Sequence, residues 1–393
     1  MPLVDMRDML RHAHEHKYAV GAFDLVSLDF LEAILRAAEA KRAPVILSLA
    51  ESHFEYFDFE LAMAATVAAA RRARVPVAIH LDHGASLESA VRGVRLGCNG
   101  VMVDASHLLF DQNVATTRAV TDMAHACGIP VEGVLGYVAG VEGEDADKLP
   151  GEVVYTSVAQ AREYVAKTAV DFLAVSIGTV HGRMRGYPKL DIERLAQINQ
   201  ALRIPLVIHG GTGLAEEQYR ALIDNGVTKI NYYTALADAA GARIRENVAR
   251  DARAGYTGLV KGVREAIAAE CERMIALFDA EGRADALLKS ARRWREVAHV
   301  IIYDADGKDD GSVETMMAHG HAALSNIPGV RQVATGRAVN GEARYPFCWL
   351  IRFAQAPVID SYRTHPAHAV FANQEFRPRA KDRISIDYEL IDP

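Results

Sequence analysis

The sequence predicts a parallel (β/α)8 barrel followed by a smaller domain of strands and helices. Short apolar, β-branched segments alternate with segments of helical periodicity over the first 230 residues. Because each strand segment is apolar throughout, helices must cover every strand, as they do in a parallel sheet. From about residue 297 the order changes to strand, helix, strand, strand, helix, strand. This order is typical of a ferredoxin-like sheet.

Eight strand segments support the barrel. They are 19–23, 44–49, 76–81, 100–103, 130–135, 172–177, 205–208 and 227–230. Four of them begin with proline, which ends the preceding helix and needs no ladder hydrogen bond at the first position of a strand. An open doubly wound sheet is the alternative, but it gives no reason to stop at eight units. We therefore expect a closed barrel.

The 393 residues divide into three predicted regions. The barrel occupies residues 1–285, which suits the roughly 250 residues that such a barrel needs. A helical connector follows over 286–295, and the α+β domain occupies 296–393. The predicted strands of this domain are 300–303, 330–338, 347–353 and 384–390, with helices over 313–325 and from 357 onward.

Composition argues against nucleic-acid and membrane partners. The net charge is −7, which disfavours nonspecific binding to nucleic acid. No apolar stretch approaches the roughly 20 residues that a membrane span requires, and the N-terminal segment mixes charged and apolar residues where a signal peptide would be apolar. The four cysteines have no CxxC spacing, so we expect buried thiols in a reducing compartment. These features predict a cytoplasmic protein.

Three histidines lie at the predicted carboxyl ends of strands. His83, His181 and His209 follow strands three, six and seven, at the face where barrel enzymes keep their active sites. A single histidine there is usually structural, but three on one barrel are difficult to explain in that way. Three neutral imidazoles with an open fourth position form a catalytic zinc arrangement. The sequence therefore predicts one zinc ion per chain.

Two acidic residues are candidates for proton transfer. Asp82 precedes His83, so its carboxylate can flank the metal without ligating it; the alternative is that it orients a ligand histidine. The loop over 137–156 is long, acidic and glycine-containing. It is either a solvated loop or a lid that carries a base, with Glu142 as the candidate.

A glycine-rich turn predicts an anion site. Gly210, Gly211 and Thr212 connect strand seven to a helix, so backbone N–H groups and the helix N-terminus can approach an anion. Asn231 and Thr234 follow strand eight. Because the loops after strands seven and eight are the common phosphate site of these barrels, we expect these residues to complete it.

Over residues 4–275 the chain resembles the class II fructose-/tagatose-bisphosphate aldolase family, most closely its tagatose-type branch. The motifs that carry the resemblance are His80-Leu81-Asp82-His83, Val131-Glu132, Gly178-Thr179-Val180-His181-Gly182, His209-Gly210-Gly211-Thr212 and Lys229-Ile230-Asn231 with Thr234. The resemblance implies zinc on the three histidines and Asp82 as proton donor. It also implies that Asp104 can hold the metal in an inward position. A monovalent cation is an additional candidate cofactor.

The resemblance further implies a substrate site for dihydroxyacetone phosphate. The residues implied to hold it are Gly182, Gly210, Gly211, Thr212, Asn231 and Thr234. We expect reversible retro-aldol cleavage of a phosphorylated ketose, in which Asp82 removes the C4 hydroxyl proton and Glu142 manages the proton on the dihydroxyacetone phosphate carbon. A Schiff base on Lys229 is the alternative chemistry. The alternative functions are a metal-dependent sugar-phosphate isomerase or epimerase, and a weakly active barrel that serves as a scaffold.

Departures from the family pattern concern the aldehyde half of the site. The second glutamate of the usual Glu-x-Glu on strand five is missing, Asp24 replaces an asparagine, and Tyr233 is bulky where a small or acidic residue is usual. Asp24 and Glu51 add negative charge, so we expect fructose 1,6-bisphosphate to be a poor substrate. Arg183 and Arg185 could reverse this expectation, although such a pair is more often a solvated surface.

Residues 297–390 resemble the stress-responsive α/β-barrel (Dabb) family. The resemblance rests on His299-Val300, Ile327-Pro328-Gly329-Val330 and Tyr362-Arg363-Thr364-His365-Pro366-Ala367-His368. Because such domains pair two sheets, the resemblance implies a homo-oligomer, either a dimer or a tetramer. For His365 and His368 we favour a structural role at a helix start over catalysis.

Overall fold

The computed structural model describes residues 2–136, 155–183, 188–306 and 311–391. Its backbone contacts divide the chain into two compact units. The first unit consists of Met1–Ala90, Cys98–Thr121 and Pro130–Arg293, and the second of Val91–Gly97, Asp122–Ile129 and Trp294–Pro393. The barrel belongs to the first unit and the smaller sheet to the second.

Eight parallel strands within the described residues close into a barrel in sequence order. They are β1 (Val20–Asp24), β2 (Val45–Ala50), β3 (Val77–Gly84), β4 (Gly100–Val103), β5 (Val131–Leu135), β6 (Phe172–Val175), β7 (Leu206–Ile208) and β8 (Val227–Tyr232). Pairing of β8 with β1, in which Asn231 lies opposite Ala22, closes the barrel. The predicted (β/α)8 fold is confirmed, and the doubly wound alternative is wrong.

Proline marks the start of four barrel strands. Pro44, Pro76, Pro130 and Pro205 each stand immediately before the first residue of β2, β3, β5 and β7. Proline has no N–H to offer the ladder, so this is the position that a strand tolerates. The following residues are apolar and buried, since helices cover the outside of the barrel.

Helices alternate with these strands along the chain. They are α1 (Met6–His16), α2 (Leu28–Ala40), α3 (Phe59–Arg72), α4 (Leu87–Leu96), α5 (Phe110–Ala126), α6 (Val158–Thr168), α7 (Ile192–Leu202), α8 (Glu216–Asp224), α9 (Thr234–Arg250), α10 (Tyr256–Leu259), α11 (Val263–Leu277) and α12 (Ala284–Ser290). Asp58, Ser157 and Asp191 begin three of them, and each side chain accepts a backbone N–H of the first turn. Each such cap stabilises its helix by roughly 0.5–2 kcal/mol.

The long helix predicted after strand eight is interrupted. Periodicity predicts one helix over 258–279, whereas the structure has α10 and α11 on either side of Gly262. Gly262 has φ of +77°, in the left-handed region that a right-handed helix cannot contain. In the region of the predicted connector, residues 286–295, the structure has the short helix α12, which covers Ala284–Ser290.

Polar side chains occupy part of the barrel interior. Ser48 and His80 are register partners on β2 and β3, and both are buried. Asp82, Glu132 and Lys229 are buried as well. Branched apolar side chains normally fill such a barrel, and buried charges need partners. The interior residues near the carboxyl ends of the strands therefore mark the functional end of the barrel.

The second unit contains a four-stranded antiparallel sheet among its described residues. Its strands are β9 (Val297–Asp304), β10 (Val330–Arg337), β11 (Phe347–Phe353) and β12 (Asp382–Glu389). Their spatial order is β10-β11-β9-β12, and every neighbouring pair is antiparallel. This is the ferredoxin-like arrangement that the order of segments predicts.

Helices pack on one face of this sheet. They are α13 (Ser312–Leu324), α14 (Val358–Thr364), α15 (Pro366–Phe371) and α16 (Arg377–Arg379). A Cβ on Gly320 of α13 would lie 2.5 Å from the Trp349 ring, so only glycine lets α13 approach β11 so closely. Along β11, residues of this face are buried, whereas Leu350 on the opposite face is exposed.

The two histidines of the C-terminal motif stabilise a helix start. The His365 ring accepts the backbone N–H of Ala367 at 3.2 Å and so caps α15. The His368 ring contacts the Tyr362 ring at a tilt of 43°, with centroids 4.4 Å apart, and its Nδ1 lies 3.1 Å from the Arg363 carbonyl oxygen. The helix-start interpretation of His365 is confirmed.

The cysteines are free thiols, of which Cys98, Cys127 and Cys271 are buried and Cys348 is half-buried. The absence of a disulfide among them agrees with the expectation from their spacing. In the ranges of the chain that the structure describes, no helix combines the length and the apolar character that a membrane crossing requires.

Candidate active site

Three histidine rings converge at the carboxyl end of the barrel. His83 is the penultimate residue of β3, His181 follows β6, and His209 comes directly after β7. Their ring centroids are 4.7, 5.3 and 5.9 Å apart. One nitrogen from each ring lies within 4.8 Å of the other two. The structure thus brings together the three residues that the sequence predicts as metal ligands.

An irregularity in β3 lets two adjacent residues face the site. The register between β3 and β4 shifts between Leu81 and Gly84, which is a β-bulge, and His83 has φ of +46°. In a regular strand Asp82 and His83 would point to opposite faces. A bulge re-aims a side chain at the cost of local strain, which for a non-glycine residue at this φ is roughly 1–2 kcal/mol.

Hydrogen bonds fix how two of the histidines face each other. Nδ1 of His83 lies 2.7 Å from Oδ2 of Asp104, and Nε2 of His209 lies 2.8 Å from Oε1 of Glu132. Each ring donates an N–H to its carboxylate, which leaves a lone pair on Nε2 of His83 and on Nδ1 of His209. These two atoms are only 2.9 Å apart. Two facing lone pairs repel each other unless a cation lies between them, so the donor set fits a metal ion.

The carboxylate of Asp104 supports His83 from outside the cluster. It accepts hydrogen bonds from Nδ1 of His83 and from the backbone and hydroxyl of Ser106. Burial raises the pKa of Asp104, but these hydrogen bonds outweigh it and hold the pKa well below its ordinary value. A carboxylate hydrogen-bonded in this way fixes the orientation of the His83 ring.

Asp82 is a buried carboxylate beside the histidines. Its Oδ2 accepts a hydrogen bond from Nδ2 of Asn231 at 2.9 Å and lies 3.9 Å from Nε2 of His83. Burial raises the pKa of Asp82, yet its electrostatic interactions with His83, Lys229 and His209 lower the pKa well below its ordinary value. A carboxylate that stays ionised in a closed site can accept a proton from a substrate hydroxyl.

Glu132 and Lys229 form a fully buried ion pair beneath the histidines. Nζ of Lys229 lies 2.8 Å from Oε2 of Glu132 and donates to Oδ1 of Asn231 at 2.6 Å. Burial raises the pKa of Glu132, but the lysine charge and the His209 hydrogen bond lower it to about 2. Because the ammonium is paired, Lys229 is not arranged as a Schiff-base nucleophile.

His80, which also belongs to the β3 motif, lies deeper in the barrel. Its two ring nitrogens are 3.9 Å from Oδ1 of Asp82 and 3.7 Å from Oε2 of Glu132. Burial and the positive charge of Lys229 lower the pKa of His80 to about 3. His80 is therefore a neutral imidazole between two carboxylates and is not one of the three converging rings.

The glycine-rich turn after β7 leaves no room for side chains. A Cβ on Gly210 would lie 2.1 Å from the Val180 carbonyl oxygen, and one on Gly211 would lie 2.5 Å from Ile230. Gly210 has φ of +65°, which also favours glycine. The Tyr219 hydroxyl anchors the turn by donating to the Gly211 carbonyl at 2.6 Å. These contacts fix the backbone of this turn.

Residues from two further loops belong to the predicted anion site. Gly182 follows His181 with φ of +87°, and Thr234 is the first residue of the 17-residue helix α9. The backbone N–H of Gly211 donates to the Asn231 carbonyl at 3.3 Å, which links the turn to β8. The Asn231 side chain, by contrast, is directed to Asp82 and Lys229. Thr212 remains partly accessible.

Two charged residues that we expected near the aldehyde half of the substrate make other contacts. Glu51 does not present its charge to the substrate, because its carboxylate accepts the Ala85 N–H at 2.6 Å and the Ser89 hydroxyl at 2.8 Å near the start of α4. Arg183 pairs with Asp238 of α9 through several short contacts. Glu142 and Arg185 lie outside the described residues.

An aromatic pair at this side was not assigned a role from the sequence. The His53 ring, which is buried, lies on the Tyr233 ring with centroids 4.4 Å apart. Burial lowers the pKa of His53. The ring follows β2, whose last residue, Ala50, pairs in register with Asp82 of β3, so it lies at the carboxyl end of the barrel. The residues Glu51-Ser52-His53, directly after strand two, were the feature of the sequence from which this pair could have been noticed.

The fold and this cluster define a barrel enzyme with a candidate metal centre beside a glycine-rich turn. Residues 4–283 match the model of the family described as class II fructose-bisphosphate aldolase. The chain belongs to this family and is accordingly a class II aldolase, a lyase. Family membership favours the aldolase over the isomerase and the scaffold alternatives. Residues 297–390 match the model of the stress-responsive A/B barrel domain.

Relatives and solved structures agree with this assignment. The chain is 39% identical over 289 residues to the fructose-bisphosphate aldolase of Geobacillus stearothermophilus, with 72% of this chain and 99% of the relative covered. It is 41% identical over 252 residues to a probable fructose-bisphosphate aldolase of Bacillus subtilis, covering 63% and 87%. The crystal structure of the YdjI aldolase from Escherichia coli K12 matches with a TM-score of 0.64 and 33% identity, over 72% of this chain and 99% of that chain.

Proposed function

We propose that the chain is a zinc-dependent aldolase that cleaves a phosphorylated ketose to dihydroxyacetone phosphate and an aldehyde, and that also catalyses the reverse condensation. The observation that carries this proposal is the 2.9 Å approach of Nε2 of His83 to Nδ1 of His209 beside the His181 ring. Open tetrahedral sites of three histidines are typical of catalytic zinc. A metal is also what the class II aldolase family generally requires.

His83, His181 and His209 would hold the zinc ion. A second group, Asp82, Glu132 and His209, also lies close enough to bind a metal. We prefer the three histidines because the ammonium of Lys229, 2.8 Å from Oε2 of Glu132, would repel a cation held by the second group. When bound, zinc would act as a Lewis acid that stabilises the negative charge developing on the substrate ketone oxygen.

Asp82 would move the proton of the bond-breaking step. It accepts the C4 hydroxyl proton during cleavage and returns it to the aldehyde oxygen during condensation. Its burial beside the histidines and its fixed hydrogen bond from Asn231 support this role. Glu142 remains our candidate for the proton on the dihydroxyacetone phosphate carbon, on the basis of sequence alone.

The phosphate would bind at the glycine-rich turn. We assign it to the backbone of Gly182, Gly210 and Gly211, with Thr212 and Thr234 at the start of the following segments. The support is the left-handed backbone of Gly182 and Gly210 in these loops, together with the positive end of the long helix α9, which begins at Thr234. Anchoring the phosphate keeps the scissile bond aligned with Asp82.

The aldehyde half of the site would not accept a second phosphate well. Asp24 is buried at the carboxyl end of β1, and the buried His53 ring against Tyr233 adds no positive charge, because burial lowers the pKa of His53. Arg183, which could supply positive charge, is engaged by Asp238. We therefore propose a ketose 1-phosphate, or a bisphosphate of different stereochemistry from fructose 1,6-bisphosphate, as the better substrate.

A panel of ketose phosphates tests the reaction and the substrate together. Release of dihydroxyacetone phosphate is followed by coupled NADH oxidation, and we expect it with at least one ketose 1-phosphate. For fructose 1,6-bisphosphate we expect kcat/KM below about 10⁴ M⁻¹s⁻¹, the lower end of ordinary enzyme efficiency. A value above this limit would contradict the substrate proposal, and no release from any member of the panel would contradict the reaction.

Replacing Asp82 separates proton transfer from metal binding. We expect Asp82→Ala to retain zinc and to lose cleavage by roughly 10²–10⁴-fold, the usual contribution of a general acid–base. Asp104→Ala is the matched comparison, because it removes a carboxylate that orients a ligand, and it should weaken zinc binding instead. Metal content by mass spectrometry and kcat are measured on both variants. Loss of zinc from Asp82→Ala would show that Asp82 is structural.

The C-terminal domain, which we assign to residues 296–393, would pair with a second copy of the chain. On the face of its sheet opposite the helices, Ile384, Ile386 and Tyr388 of β12 are 42%, 43% and 50% exposed, and Leu350 of β11 is 46% exposed. These side chains share one face because they alternate along β12 and because Val300 of β9 lies between Ile386 and Leu350. A contiguous apolar sheet face of this kind favours association.

A charge on this face should disrupt the oligomer. We expect Ile386→Glu to shift the mass measured by light scattering from a multiple of the 42.8 kDa chain toward the single chain. Ser385→Glu is the matched control, because it puts the same charge on the same strand but on the opposite face, and it should leave the mass unchanged. Equal masses for both variants and the wild type would refute this interface.

A further inference from the structure

A fully buried lysine, Lys229, contacts both the residue that supports the histidines and the residue that supports Asp82. Lys229 lies in the middle of β8, and its ammonium contacts Glu132 on one side and Asn231 on the other. An ammonium in this place has lost its hydration, so its acceptors must compensate. Glu132 in turn contacts His209, and Asn231 in turn contacts Asp82. Packing alone does not require this arrangement.

The first chain of contacts runs from Lys229 through Glu132 to His209, a proposed metal ligand. Oε2 of Glu132 contacts Lys229 at 2.8 Å, while Oε1 of the same carboxylate contacts Nε2 of His209 at 2.8 Å. The lysine therefore fixes the rotation of the Glu132 carboxylate, and the carboxylate fixes the orientation of the His209 ring. Removing such outer contacts typically weakens metal binding by roughly 10–100-fold.

The second chain of contacts runs from Lys229 through Asn231 to Asp82. Lys229 offers only donors, so it selects the Oδ1 end of the Asn231 amide, at 2.6 Å. The Nδ2 end then points to Oδ2 of Asp82 at 2.9 Å. Without the lysine, Oδ1 of Asn231 would be buried without a donor, and the amide would be free to rotate away from Asp82.

We propose that Lys229 is a positioning residue that sets the orientation of His209 through Glu132 and of Asp82 through Asn231, so that one buried charge aligns metal and proton acceptor together. The inference rests on the proposed function for what the two aligned residues do. It assigns Lys229 no contact with substrate, and it replaces the Schiff-base alternative for this residue.

A merely structural role for the ion pair is the competing explanation. Removing one partner of a buried pair costs roughly 3–5 kcal/mol, whereas removing both charges is often neutral. Lys229→Met alone could therefore fail to fold. The double variant Glu132→Gln/Lys229→Met removes both charges of the ion pair, so it keeps the test decisive.

The experiment measures zinc affinity and turnover on the full-length chain. Metal-free wild type, Lys229→Met and Glu132→Gln/Lys229→Met are titrated with zinc alone against a competing chromophoric chelator. The kcat and KM values for a ketose 1-phosphate cleaved by the wild type are then measured at saturating zinc. Thermal unfolding of each variant reports folding independently of both readouts.

We expect the double variant to unfold within a few degrees of the wild type but to bind zinc roughly 10-fold or more weakly. At saturating zinc its kcat should remain up to ~100-fold lower with little change in KM, because Asp82 is misaligned. A double variant with the zinc affinity and kcat of the wild type would overturn the proposal, since the pair would then be structural only.

Arg7→Met is the matched control. Arg7 of α1 pairs with Asp171 at 2.5 Å at the amino end of β6, away from the histidine cluster. Its loss should change thermal stability without changing zinc affinity. The proposed function and this inference fail differently: a wild-type chain that binds no zinc overturns both, whereas variants that match an active wild type overturn only the role of Lys229.

Discussion

The buried ion pair between Lys229 and Glu132 is the constraint around which the barrel interior is arranged. Two opposite charges 2.8 Å apart, both without solvent contact, are expensive to remove from water and stable only while both remain. β8 and β5 contribute one partner each, so the pair exists only when the barrel is closed in the correct register. The closed barrel therefore brings together Glu132 and Lys229, on which the site depends.

The residues of the candidate site lie at the carboxyl ends of the strands, directly above this buried ion pair. The bulge in β3 lets Asp82 and His83 face the same space, and the short β7 delivers His209 and the glycine-rich turn within a few residues of each other. The orienting carboxylates, Glu132 and Asp104, come from other strands. Chemistry of this class needs its groups fixed before substrate arrives, and contacts between strands provide that rigidity.

Much of the fold and the identity of the converging histidines could be predicted from the sequence. Strand and helix segments follow from hydrophobic periodicity, and residues at the ends of parallel strands must meet. The side-chain partners could not be predicted, because the contacts of Lys229, Asn231 and Asp82 depend on barrel register and on the bulge. Glu51 shows the same limit: its charge is visible in the sequence, but its hydrogen bonds near α4 are not.

The most direct test of this account is the zinc K-edge X-ray absorption spectrum of the purified full-length chain. Three imidazoles at His83, His181 and His209 predict about one zinc per chain, a first shell of nitrogen and oxygen atoms at about 2.0–2.1 Å, and multiple scattering from three rings. A first shell dominated by carboxylate oxygens would instead indicate the group of Asp82, Glu132 and His209. Fewer than two imidazoles, or a sulfur ligand, would contradict the central claim.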